Sequence, residues 1–157
     1  MPTIRHIRDH EQATFLERMS QTSWDDLVPH QKTNRTRKEI DTNVQEVVSF
    51  LMGQGESRIL IADLPDLSNA GQLWLGRTRD PYTYKWRSYI YNLFVEPAAR
   101  QQGVAQALLQ AAEEMARKRG DNDLVLTVAC HNDSALALYH RVGFTDERLI
   151  LSKPLEE

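Results

Sequence analysis

The sequence contains a single cysteine, Cys130, so it can form neither an internal disulfide nor a cysteine-based zinc site. No apolar run approaches the roughly 18 residues of a membrane span. The start, Met1-Pro2-Thr3-Ile4-Arg5-His6, has no apolar signal region. A cytoplasmic protein with no membrane partner is the expectation. Positive charge is not in excess either. Lys and Arg number 19 against 22 Asp and Glu, a net charge of −3, which argues against a main role in gripping nucleic-acid phosphates. Arg35, Arg37 and Lys38 are too few for a basic face and are diluted by Glu39 and Asp41. Repeats and low-complexity runs are absent. What remains is an ordinary globular composition over 157 residues, 41% hydrophobic and 26% charged, which predicts one domain over 1–157.

The pattern along the chain predicts alternating elements. Residues 3–8 read as a strand and 10–19 as a helix carrying Ala13, Leu16 and Met19. A polar stretch, 20–35, holds Trp24, Asp25, Asp26 and Pro29. Thr36 and Glu39 stand in capping-box spacing ahead of a helix with Ile40, Val44, Val47, Val48 and Leu51 on one face. Strands follow over 57–63, 72–79 and 88–95, with turn material over 65–71 and at Asp80-Pro81. The longest helical pattern runs over 102–119, with Val104, Leu108, Ala112 and Met115 in one stripe and Gly120 as its stop. A strand over 124–129, a short helix over 134–142 and a last strand over 148–153 complete the order β-α-α-β-β-β-α-β-α-β. That order implies an α+β fold, a mostly antiparallel sheet with one parallel crossover, flanked by helices.

The common catalytic signatures are missing: no phosphate-binding G-x-x-x-x-G-K-[ST], no G-x-G-x-x-G, no G-x-S-x-G and no H-E-x-x-H. His6, His10, His30, His131 and His140 form no metal pattern, so no metal is expected. One junction stands out. The strand ending in Leu93-Phe94-Val95 passes through Glu96-Pro97 into Arg100-Gln101-Gln102-Gly103-Val104-Ala105, which opens the long helix. Amide N–H groups at a helix start lack partners inside the helix and suit a phosphate or pyrophosphate. Gly103 allows close backbone approach, and Ala105 keeps the helix start slim. A tight turn made for packing alone is the bland reading.

The second segment decides between them. After the strand over 124–129 come Asn132, then Ala135-Leu136-Ala137-Leu138-Tyr139, then Gly143-Phe144. Alone, Asn132 reads as a helix cap and Tyr139 as a core aromatic. Taken together, Leu93-Phe94-Val95, Arg100-x-x-Gly103-x-Ala105 and the run from Asn132 to Phe144 resemble the GNAT superfamily of acyl-CoA-dependent N-acetyltransferases. The resemblance covers about 88–153, the expected cofactor-binding half.

The resemblance implies acetyl-CoA as co-substrate. It implies that the strand end Leu93, Phe94 and Val95 meets the pantetheine arm through its backbone. Arg100, Gln101, Gln102, Gly103, Val104 and Ala105 would hold the pyrophosphate, and Asn132 would reach the pantetheine or order the turn beneath it. Tyr139 would lie near the thioester sulfur and protonate the departing thiolate, a role suited to a phenol with a pKa near ~10. Some relatives place a glutamate base in the strand before Asn132; Leu124-Val125-Leu126-Thr127-Val128 has none. Glu96, His131, Asp63 and Tyr91 are the alternatives. The acceptor would be an amine on a small molecule, peptide or protein. Trp24, Asp25 and Asp26 would line its groove, the bland alternative being a buried Trp24 with Asp25-Asp26 capping a helical turn, and the aromatic tip over 81–86 would meet a ligand or a second subunit of a homodimer. The rival class is a non-catalytic acyl-CoA-binding sensor or regulatory module of the same fold.

Overall fold

The computed structural model describes residues 1–155. Five strands form one sheet in the order β1 (Thr3–His6), β2 (Arg58–Leu64), β3 (Leu67–Arg79), β4 (Trp86–Val95) and β5 (Leu124–Leu126). Neighbours are antiparallel except β4 and β5, which are parallel and joined across α4 (Val104–Arg119). This is the expected α+β architecture.

Alternation along β2 explains the layering. Ile59 and Ile61 face one side of the sheet and Leu60 the other. On the first side lie α1 (Gln12–Asp26) and α3 (Arg37–Met52), which bury Phe15 and Met19, and Ile40, Val44 and Val48, at helical spacing. Phe15 meets the buried Trp74 edge-on at 5.7 Å. On the second side α4 buries Val104, Leu108, Leu109 and Ala112 against Leu60, Leu73, Leu75 and Ile90. The predicted capping box forms, with the Glu39 N–H donating to Thr36 Oγ1 at 3.2 Å. Among the described residues no helix is long and apolar enough to cross a membrane.

Four expectations need correction. The first helix does not stop at residue 19. It continues to Asp26, because nothing breaks it before Pro29 pushes Val28 into an extended conformation, and a short helix α2 (Pro29–Lys32) follows. Trp24, Asp25 and Asp26 are therefore helical. Leu67–Gly71, read as turn, is the start of β3, and only residues 65–66 turn. The strand expected over 124–129 ends at Leu126. The last strand, 148–153, does not form: Leu149, Ile150 and Leu151 are 81–88% exposed. A strand exists only where a neighbour accepts its hydrogen bonds, and among the described residues no strand pairs with this segment.

Near the middle of β4 the register slips. Trp74 faces Asn92 while Leu75 faces Ile90, so Tyr91 is an extra residue, a β-bulge. Its ring lies over the next residue of β3 but one, Gly76, where a Cβ would come within 2.1 Å of Tyr91 Cε2. Gly76→Ala is expected to displace that ring and destabilise the fold by about 1–3 kcal/mol, as overpacking does. Urea unfolding monitored by Trp fluorescence would measure it; an unchanged midpoint would show that the bulge is not held this way.

Candidate active site

The bulge sets the geometry of the site. β4 pairs with β5 only through Ser88–Leu124, Tyr89–Val125 and Ile90–Leu126. Below the parting, the Tyr89 and Thr127 hydroxyls are hydrogen-bonded. Beyond Ile90, β4 continues to Val95 against β3 alone. Leu93, Phe94 and Val95 thus sit on a strand end with no neighbour on one side, where peptide groups remain available.

The chain leaves β4 through a single 3-10 turn, Pro97–Ala99, and reverses over Arg100–Gly103. Gln101 (φ 62°) and Gly103 (φ 78°) are both left-handed, and Gly103 is the N-cap of α4. Arg100, Gln101, Gln102 and Gly103 are exposed, whereas Val104 is buried beneath them. The first-turn amides of Val104 and Ala105 point out of the helix start, where the dipole is positive. A Cβ on Gly103 would meet no protein atom within 4 Å, so the space above the turn is open. Gly71 locks strand end to helix start: a Cβ there would come within 2.9 Å of both the Phe94 carbonyl oxygen and Val104 Cγ1.

On the same side of the sheet as α4, α5 (Asp133–Arg141) packs Leu138 and Tyr139 against the core. Asn132 caps it, its Oδ1 accepting the Ala135 N–H at 3.2 Å. Tyr139 lies half-buried beside Phe144, ring to ring at 5.7 Å. Burial first, and the Asp26 charge second, push the Tyr139 hydroxyl up to about 12, so it holds its proton at neutral pH. Asp26 is itself pushed above the usual carboxylate range by burial, against the opposing pull of His131. The His131 imidazole Nε2 lies 2.9 Å from the Asp25 carbonyl oxygen and ties the end of α1 to the loop before α5. Asp26, His131 and Tyr139 therefore converge. From sequence, Asp26 is legible only as half of an acidic pair on the acceptor side, without its link to Tyr139. The available signal is that Asp25 and Asp26 end a helix against its dipole, which becomes visible only once α1 is known to reach them.

The remaining base alternatives are differently engaged. Asp63 accepts from Arg5 Nε at 2.7 Å and from the Asn69 N–H at 2.7 Å, between β1 and β3. Tyr91 stacks between Trp74 and Tyr89, and burial raises its pKa. Glu96 accepts from Arg18 at 2.7 Å. Arg18 is a buried residue of the candidate site that the sequence does not announce. It is 6% exposed and donates to the Asn69 side chain (2.6 Å) and carbonyl (2.8 Å) and to Gln72 (3.3 Å). It also lies 5.1 Å from the Phe94 ring centroid. Beside it, between α1 and the end of β4, runs a cleft of about 420 Å³ lined by Ala13, Glu17, Gln21, Phe94 and Glu96. Among the described residues no three potential metal donors cluster.

Comparison with known proteins gives this geometry a family. Residues 69–144 match the Acetyltransferase (GNAT) family. An aminoglycoside N(6′)-acetyltransferase type 1 from Klebsiella aerogenes is 32% identical over 107 residues, which is 64% of this chain and 69% of that one. The chain belongs to the GNAT acetyltransferase family. Other curated N-acetyltransferases match over about half of their own length or less. A structure from Pyrococcus furiosus, assigned as a candidate acetyl transferase, superposes with a TM-score of 0.84 at 27% identity, covering 99% of this chain and 100% of that one. A structure from Clostridium acetobutylicum, assigned as a candidate acetyltransferase and solved with acetyl-CoA, shares the fold at a TM-score of 0.72 and 19% identity, over 98% of this chain and 96% of that one.

In this GNAT protein the buried guanidinium is expected to hold the cleft together. Arg18→Leu would leave Glu96, Gln72 and Asn69 short of a donor. Removing one partner of a buried pair costs about 3–5 kcal/mol, and the 36% exposure of the Glu96 side chain favours the low end. Chemical denaturation of the variant against Arg18→Lys would test this; Lys offers no planar fork and should rescue little. Wild-type stability in Arg18→Leu would remove Arg18 from this role.

Proposed function

We propose that this GNAT protein is an acetyl-CoA-dependent N-acetyltransferase acting on a primary amine. The observation that carries the reading is the parted mouth between β4 and β5, with the left-handed turn at Arg100–Gly103 on one side and protonated Tyr139 on the other. The residues present fit acetyl-CoA. Unpaired peptide groups of Leu93, Phe94 and Val95 match the amides of a pantetheine arm. The open space over Gly103 and the first-turn amides of α4 match a pyrophosphate. Asn132 holds the turn beneath. The acetyl-CoA complex of the Clostridium relative and the family match support this assignment.

The chemistry is direct attack of the amine nitrogen on the thioester carbonyl carbon. A C–N bond forms, the C–S bond breaks, and CoA leaves as a thiolate. Strand-end amide N–H groups stabilise charge on the carbonyl oxygen. Tyr139 gives its proton to the sulfur. Asp26 takes the proton that the attacking ammonium must lose, a task favoured by its burial and its nearness to Tyr139. The acceptor is an amine on a small molecule, peptide or protein; Glu17 and Glu96 line the cleft beside the strand end but are paired with Arg37 and Arg18, so the negative charge on this side comes from Asp25 and Asp26 at the end of α1.

Gly103→Val is expected to weaken CoA binding at least tenfold, about 1.4 kcal/mol by calorimetry. It combines a side chain in the pyrophosphate space with a φ of +78° that L residues rarely adopt. Undiminished affinity in the folded variant would sink the turn assignment.

Tyr139→Phe is expected to keep CoA affinity and lower kcat in thiol-release assays on an amine panel, because its hydroxyl acts in the transition state. Asp26→Asn should lower kcat/KM and abolish the acidic limb of its pH profile, since Asp26 must be deprotonated to act. Tight acetyl-CoA binding with no turnover on any amine would favour the sensor reading instead.

A further inference from the structure

Two walls flank the acceptor side of the site, and they belong to different layers of the core. Trp24 and Leu27, at the end of α1, pack in the apolar layer shared with α3. Leu138 and Tyr139 of α5 pack in the layer of α4, on the other side of the sheet. Their meeting therefore depends on polar contacts. Among the described residues one hydrogen bond links residues 21–36 to residues 124–155. It joins the His131 Nε2 and the Asp25 carbonyl oxygen, 2.9 Å apart.

The bond answers a shortage written in the sequence. In a continuing helix the Asp25 carbonyl would accept from the N–H of residue 29, and that residue is Pro29, which has none. The Val28 N–H is turned instead to Gln31 Oε1 at 3.1 Å. α1 thus ends on an orphan carbonyl at its negative pole, and an imidazole 106 positions away supplies the missing donor. A carbonyl only accepts, so Nε2 carries the hydrogen. The neutral ring in this tautomer and the imidazolium can both donate it, so the bond survives the titration of His131.

We propose that His131 is a positioning residue, a latch that holds the end of α1, with Asp26, against the wall that carries Tyr139. The inference rests on the reading of Asp26 as the group that takes the ammonium proton, and it gives His131 a task other than proton abstraction. The titratable groups around Asp26 are Asp25 on its own helix, His131 on the loop after β5 and Tyr139 on α5. Burial and Asp25 oppose the Asp26 carboxylate, and His131 favours it. The latch therefore places Asp26 and also supports its charged form.

Hydrogen exchange and kinetics on the full chain test the two halves separately. A net hydrogen bond shifts an equilibrium by about two- to tenfold. His131→Ala is expected to speed amide exchange over residues 24–33 by about that factor and to lower kcat/KM for a reactive amine as much, with acetyl-CoA affinity unchanged. His131→Gln keeps an N–H donor and should restore most of both. Its lost positive charge should still move the acidic limb of kcat/KM to higher pH, because Asp26 must be deprotonated to act. Adding His131→Ala to Asp26→Asn should cost little further in kcat/KM. Unchanged exchange in His131→Ala, a Gln variant no better than the Ala variant, or additive losses would each overturn the latch. Full activity in Asp26→Asn would instead sink the reading of Asp26 as base, and the latch would then stand or fall on the exchange rates and the Ala–Gln contrast.

Discussion

The extra residue in β4 is the constraint from which the site follows. With Tyr91 bulged, β4 bends away from β5 after Ile90 while keeping its ladder to β3. β5 ends at Leu126, opposite Ile90, so the peptide groups of β4 beyond the bulge have no strand on that side. The bend is held from both sides. Gly76 makes room for the Tyr91 ring, and Trp74 and Tyr89 flank that ring. Gly71 then brings the far end of β4 against the start of α4, so the strand end and the left-handed turn move as one body. A cofactor that reaches from one to the other finds both preset.

Polar burial does comparable work on the other side of the strand. Arg18 lies under the cleft and ties α1 to β3 through Asn69 and Gln72, and to the residue after β4 through Glu96. Gln72 passes the network on to Asn92 at 2.8 Å, next to the bulge. Buried polar groups of this kind are stable only when satisfied, which makes the position of α1 over the sheet nearly unique. That position decides what the end of α1 faces. Its last turn carries Asp25 and Asp26 against the helix dipole, an unfavourable local choice that places Asp26 beside Tyr139 and His131. Local cost accepted at a site is a mark of function.

The local elements that carry the expected cofactor half were largely legible in the sequence. Gly103 and Ala105 at the start of a strongly periodic helix, Asn132 ahead of Ala135 and Tyr139, and the β4 apolar run are all local patterns, and the structure places them where local rules say. The acceptor half was less legible. Asp26 gains its meaning from Tyr139 and His131, over a hundred positions away, and Arg18 from partners in β3 and after β4. Strand assignments failed where pairing rather than composition decides. Leu67–Gly71 looks like turn material yet pairs with β2 and β4, whereas Leu149–Leu151 looks like a strand and pairs with nothing among the described residues.

By itself the sequence determined the α+β class, the crossover that makes β4 and β5 parallel, the helix faces and the glycine turn. These depend on the periodicity of side chains and on backbone freedom, both written residue by residue. The tertiary structure alone decided the bulge at Tyr91, the meeting of Asp26 with Tyr139 and His131, the buried Arg18 network and the open edge of β5. Each of these is a balance between segments distant in sequence, and hydrogen-bond partners and buried charges are settled only when those segments meet.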